Sequence, residues 1–267
     1  MIPTDTIDKL EATWRSLSAL CAGLDEAQWK LPTDLPGWTV QDNLAHLIGI
    51  ERVLEGLPTT GHRAPAVAYV KNPIGEMNEH EVDARRGLAG AQVLAEWDAL
   101  VERRLQSLRN GDDDYFAVPW ATPTGPGTLA DFLHIRVLDC WLHEQDIRRA
   151  LGAPGHLAGP TAEHTIDRLI RTLPIVIGKR AGTPEGGAVV FDITGEVPRH
   201  LVYEVTGGRA GLVESPSAAP LATISMTTDA FVTLASGRRT ADQVDGVSIS
   251  GDTELGRSVA TQLNMMI

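Results

Sequence analysis

Through roughly the first two thirds of the chain, apolar residues recur at intervals of three and four, the period of an amphipathic helix. Ile7, Leu10, Trp14, Leu17 and Leu20/Cys21 mark a helix over residues 4–22. The stretch LDEAQWKLPTDLPGW is broken by Pro32 and Pro36-Gly37 and reads as a connector. Thr39 then serves as an N-cap, with Asp42 three residues on as a capping-box partner, and Leu44, Leu47, Ile48 and Leu54 give the helix behind it an apolar face. Residues 57–75 are rich in Pro and Gly and read as a long loop. Residues 76–108 are helical in pattern, with a break near 87–90 and an apolar face built from Val93, Leu94, Trp97, Leu100, Val101 and Leu105. A further helix is expected over about 161–178. After that the period changes: VVFDITG, HLVYEVTG and ATISMTT are rich in β-branched residues and punctuated by Gly or Pro, as strands are. Helical pieces near 229–236 and 253–263, with a short strand VSIS between them, complete the pattern.

The most informative segment is TLADFLHIRVLDCWLHEQDIRRALG, residues 128–152. Thr128 can cap its start and Gly152 its end, so it reads as one long helix. Leu129, Leu133, Val137, Cys140, Ile147 and Leu151 form one apolar stripe, with Leu138, Trp141 and Leu142 beside it, so most of the circumference is buried. Arg136, Asp139, His143 and Asp146 share the remaining face. Ionisable groups on a buried helix must be paired, hydrated or metal-bound. Asp139 and His143 lie one turn apart, so a carboxylate oxygen and an imidazole nitrogen can converge on one ion; the same spacing also suits an ordinary ion pair.

The pattern predicts a two-domain α+β protein: an up-down helix bundle over 1–180, a boundary within 178–187, and a small α+β domain over 187–267. The chain has 267 residues and a formal net charge of -12, which disfavours extended contact with nucleic acid or an anionic membrane. It has no apolar run long enough to span a bilayer and no signal-peptide pattern at its start, so a cytoplasmic location is expected. Cys21 and Cys140 make no disulfide framework, and Cys140 falls with the apolar stripe, which leaves no good nucleophile of the chain's own.

The stretch LPGWTVQDNLAHLIGIE, followed some 90 residues later by LDCWLHEQDIRRALG, resembles the N-terminal domain of the mycothiol-dependent maleylpyruvate isomerase family, a branch of the DinB-like four-helix bundles. TTDAFVTLASGRRTADQVDGVSISGD resembles the sterol-carrier-like domain that follows the bundle in many members. The resemblance implies a divalent metal, usually zinc, held by His46, Asp139 and His143, with Asp139 standing where the family pattern has Glu. It implies a thiol cosubstrate, mycothiol, bound at the metal as thiolate and aimed at a small-molecule electrophile, with either an S-transferase or an isomerase outcome. Three protein ligands would leave a coordination position open, as catalytic zinc sites do. Asp146 is a candidate to orient a ligand histidine, or else to pair with Arg149 or Arg136. Arg238, in the GRR turn, is a candidate to meet a substrate carboxylate or else an exposed turn residue, and Trp38 is expected to pack at a helix start. Two other functions stay open from sequence: a non-catalytic small-molecule or lipid binder, and a metal-dependent hydrolase. A monomer and a homodimer are equally compatible with the pattern.

Overall fold

A computed structural model describes residues 1–123 and 125–264. It is a mixed helix-and-sheet protein that divides into two compact units, Met1–Gly155 and His156–Ile267.

The first unit is a helix bundle in which α1 (Thr4–Cys21) is followed by a single turn, α2 (Glu26–Trp29), and then by α3 (Val40–Leu54), α4 (Pro73–Arg86) and α5 (Gly90–Asn110). A short α6 (Asp113–Ala117) and a hairpin of β1 (Pro119–Thr122) and β2 (Gly125–Thr128) lead into α7 (Leu129–Leu151). The ends of these helices follow local chemistry. Thr39 and Asp42 form the capping box expected at α3, with Thr39 N donating to Asp42 Oδ2 at 2.9 Å. Thr128 and Asp131 form another at α7. Gly152 closes α7 in the left-handed region, φ 62°, where a side chain would be strained. The core runs through Trp14, Trp97, Leu44, Leu47, Leu133 and Val137; the Trp14 and Trp97 rings meet edge to face with centroids 6.2 Å apart. Helices α3 and α4 approach closely because residue 49 is glycine: a Cβ there would lie 2.7 Å from Glu81 Cβ.

Two features of this unit depart from the sequence pattern. The Pro/Gly-rich run before α7 forms the β1–β2 hairpin, with Pro119 opposite Thr128, so the unit is not purely helical. The acidic run at 112–114 starts a short helix: Asp112 caps α6, accepting from Tyr115 N at 2.9 Å.

In the second unit α8 (Pro160–Ile170) and a π-helical turn, Ile175–Arg180, precede β3 (Ala188–Thr194), β4 (Arg199–Thr206), β5 (Arg209–Val213) and β6 (Ala222–Thr227). Then come α9 (Thr228–Ala235), β7 (Ser248–Gly251) and α10 (Thr253–Thr261). The strands form one sheet in the order β5-β4-β3-β6-β7. β3 and β6 are parallel, with Phe191 opposite Ile224, and the other pairs are antiparallel. The division at Gly155/His156 precedes the 178–187 stretch, because α8, assigned by periodicity to the bundle, packs with α9 and belongs to the sheet unit. Among the described residues no helix is long and apolar enough to cross a membrane.

Candidate metal centre

α3 and α7 pack against each other in the first unit and bring three of the predicted residues together. One ligand atom each from His46 on α3 and Asp139 and His143 on α7 lie within 4.8 Å of one another. His46 Nε2 is 3.3 Å from Asp139 Oδ2, and His143 Nε2 is 3.5 Å from Asp139 Oδ1. The two imidazole rings have centroids 4.7 Å apart. Both histidine side chains are nearly enclosed, whereas the Asp139 side chain is 25% exposed, so the carboxylate edge of the cluster meets solvent.

The groups around the cluster fix which nitrogen faces inward. His143 Nδ1 lies 2.7 Å from Asn43 Oδ1, an amide oxygen, so Nδ1–H donates outward and the Nε2 lone pair points at Asp139. His46 Nδ1 is buried with no hydrogen-bond partner among the described residues. Trp38 stands over both rings, 5.3 Å from that of His46 and 5.9 Å from that of His143, with its Nε1–H donating to Glu79 Oε2 at 3.0 Å. It therefore covers the cluster as well as packing at the start of α3.

Behind Asp139 runs a chain of buried charges. Arg136 donates to Asp139 Oδ2 and, through Nε, to Glu51 Oε1 at 2.9 Å; Glu51 Oε2 accepts from Arg104 Nε at 2.9 Å. Burial opposes ionisation of Asp139, but the Arg136 charge and the bonds from His143 and His46 outweigh it and hold the carboxyl well below its ordinary range. Burial pushes His46 down to about 4. The same burial acts on His143, where hydrogen bonds to Asp139 and Asp146 overcome it and raise the imidazole. The cluster thus offers a carboxylate held ionised, one imidazole held down by burial and one held up by its carboxylate neighbours. Two nitrogens and an anionic oxygen from two helices form a donor set suited to zinc.

The remaining candidates fall in different places. Asp146 is fully buried, with one oxygen 2.6 Å from Arg149 and the other 3.5 Å from His143 Nδ1. Arg238 lies in the second unit after α9 and donates to the Ser236 carbonyl at 3.0 Å. Cys140 is buried on the apolar side, 3.3 Å from Trp14 Nε1, and burial pushes its thiol up to about 12, so it is no nucleophile. Sequence reasoning missed Asn43 and Glu51. Asn43 could have been found, since it precedes His46 by three residues on one helix face. Glu51 carried no comparable signal, because Arg104 and Arg136 are remote in sequence.

A family description for the mycothiol maleylpyruvate isomerase N-terminal domain matches residues 10–148, and one for the C-terminal domain of the same family matches residues 163–257. Uncharacterised proteins from two strains of Mycobacterium tuberculosis are 28% identical over 152 residues, 56% of this chain and 58% of theirs. The chain thus spans little more than half the length of these curated relatives. Crystal structures of the mycothiol-dependent maleylpyruvate isomerase and of a mutant of it superpose with TM-score 0.56 at 19% identity, covering 92% of each chain. At that identity the likeness is one of fold.

Proposed function

The chain belongs to the mycothiol maleylpyruvate isomerase family, and from that premise we propose that its first unit carries a zinc-dependent site that adds a low-molecular-weight thiol, mycothiol, to a small electrophile. The observation that carries this reading is the convergence of His46, Asp139 and His143, with His143 Nδ1 already engaged by Asn43. Zinc bound there would supply a positive charge that favours thiolate over thiol. The residues present fit such an ion: two inward-facing imidazole nitrogens, one carboxylate, and an approach left open beside Asp139.

The chain's own groups have separable tasks. Asn43 sets the tautomer of His143, and Asp146, held by Arg149, stands 3.5 Å from the same Nδ1 nitrogen. Arg136 engages one oxygen of Asp139 and leaves Oδ1 turned towards His143. Trp38 shields the histidines from bulk water. The electrophile leaves either as a thioether or, after thiol release, as a rearranged acid; both outcomes use the same site. Zinc-loaded protein is assayed with mycothiol and a panel of electrophiles that includes maleylpyruvate. Consumption of an electrophile that requires both zinc and the thiol is expected; equal turnover without thiol would replace this reading with hydrolysis.

A further inference from the structure

We propose that Glu79, a buried carboxylate on α4, is a positioning residue for the candidate metal centre: it holds the Trp38 indole over His46 and His143 and so slows the exchange of a bound ion. The ion is taken from the proposed function; the hold on Trp38 does not depend on it. Trp38 ends the turn LPGW, directly before the Thr39 cap of α3. Its backbone is fixed by the turn: Trp38 N donates to the Leu35 carbonyl at 3.1 Å, and the Trp38 carbonyl accepts from Thr33 N at 3.0 Å. What remains is the side chain, whose two torsions decide where the half-buried indole lies. Its plane is tilted by 42° to the ring of His46 and by 30° to that of His143. These tilts fall between stacked and edge-to-face packing, so aromatic contact alone does not fix the angle. The bond from Nε1–H to Glu79 Oε2, 3.0 Å long and strengthened by the carboxylate charge, does.

Glu79 is itself immobilised. It is 2% exposed, and its other oxygen, Oε1, accepts from Arg86 Nη1 at 2.6 Å and from the Tyr69 hydroxyl at 2.7 Å. Tyr69 comes from the loop before α4, and its ring lies against the LPGW turn: a Cβ at Gly37 would stand 2.3 Å from Tyr69 Cε1. The glycine of the turn admits the tyrosine, the tyrosine meets Glu79, and Glu79 meets the tryptophan. Helix α4 supplies none of the three converging side chains, yet through Glu79 it sets what covers two of them. A histidine leaves an ion by swinging its ring away, and here either ring would have to push Trp38 aside. Glu79→Gln keeps the size of the side chain but offers one acceptor oxygen in place of two, so Trp38, Tyr69 and Arg86 would compete for it. Arg86 would still have Asp42 at 3.3 Å and Asp83 at 3.0 Å, so the bundle should survive the change.

The test is a double-mutant cycle of Glu79→Gln and Trp38→Phe, the second keeping an aromatic cover without the N–H donor. Release of zinc from the loaded full chain to a chromophoric chelator is timed for each protein. Glu79→Gln should speed release about tenfold in the parent and leave it unchanged in the Trp38→Phe chain, where the bond is already absent. An equal effect in both chains would mean that Glu79 acts through Arg86 and Asp42 on the start of α3, and overturns the proposal. Tyr69→Phe leaves Oε2 and Trp38 joined and should not change the rate; as large a gain there as in Glu79→Gln would place the control in the loop and also overturn it. A second readout needs no metal. Nitrogen-15 labelling of the six tryptophans gives separate indole N–H signals, and that of Trp38 is the one lost in Trp38→Phe. In metal-free protein Glu79→Gln should shift this signal and speed its exchange with solvent; a signal that does neither overturns the hold on Trp38. If the parent binds no zinc, the proposed function fails, while the indole signal still decides whether Glu79 places Trp38.

Discussion

The two units bury polar groups of different kinds. Among the described residues, the sheet unit buries hydroxyls only: Thr161, Thr165, Thr183, Thr228, Thr233 and Ser236. The bundle buries ionisable side chains, including His46, Glu51, Arg104, Arg136, His143 and Asp146. A buried hydroxyl needs one or two backbone partners, which a turn or helix end supplies locally. A buried charge needs an opposite charge in fixed geometry, and replacing such a pair by apolar side chains often stabilises a protein. The bundle therefore carries electrostatic cost near α3 and α7, where the proposed ion would sit, while the second unit is held by apolar packing around Phe191, Phe231, Ile224 and Val259.

The comparison breaks first at Glu51. Glu51→Gln should leave Arg136 and Arg104 facing each other without a full counter-charge and destabilise the bundle by about 3–5 kcal/mol, read by denaturant unfolding. A loss under 1 kcal/mol would mean that the network is not a strong electrostatic element. Next is Asn43→Ala, which frees His143 to take the other tautomer and should weaken zinc binding about 10–100-fold with little change in helix content. Thr228→Val is the corresponding test in the sheet unit. It removes a hydroxyl that accepts from Val197 N at 3.1 Å and donates to the Thr194 carbonyl, and should cost about 1–3 kcal/mol without touching metal affinity.

The smallest effect concerns protons. His143 is raised in the folded chain, so its contribution to stability is present below the unfolded value near 6.5 and disappears as pH rises through the folded one. His46 is lowered to about 4, so stability falls as pH drops from about 6.5 towards that value. Any proton released as zinc binds should then come from His143 and not from His46. Titration calorimetry in buffers of different ionisation enthalpy counts it; two protons would show His46 to be charged as well.

What was legible in the sequence was local or periodic. The Thr39 cap, the Thr128 cap and the Gly152 end are read from neighbouring residues, and the ligand face of α7 from its spacing. The β1–β2 hairpin was hidden because its residues, PWAT and GPGT, carry the Pro and Gly of a loop, and pairing alone makes them strands. β5 went unseen for a related reason: RAGLV is short, and its strand character comes from lying against β4. The division at Gly155/His156 lies before 178–187 because α8 has the same helical period as the bundle helices, and periodicity does not say which core a helix joins. In the site, His46, Asp139 and His143 were legible through spacing and family resemblance together. Glu51 was not, because its partners Arg104 and Arg136 are remote from it in sequence.

The three converging side chains, His46, Asp139 and His143, are proposed to hold one ion. Full-length protein purified from cells grown with zinc should contain close to one zinc per chain by elemental analysis, and His46→Ala and His143→Ala should each lose most of it while keeping the helical circular dichroism of the parent. Retention of the ion by both folded variants, or a folded parent that holds no zinc at micromolar metal, would contradict the assignment.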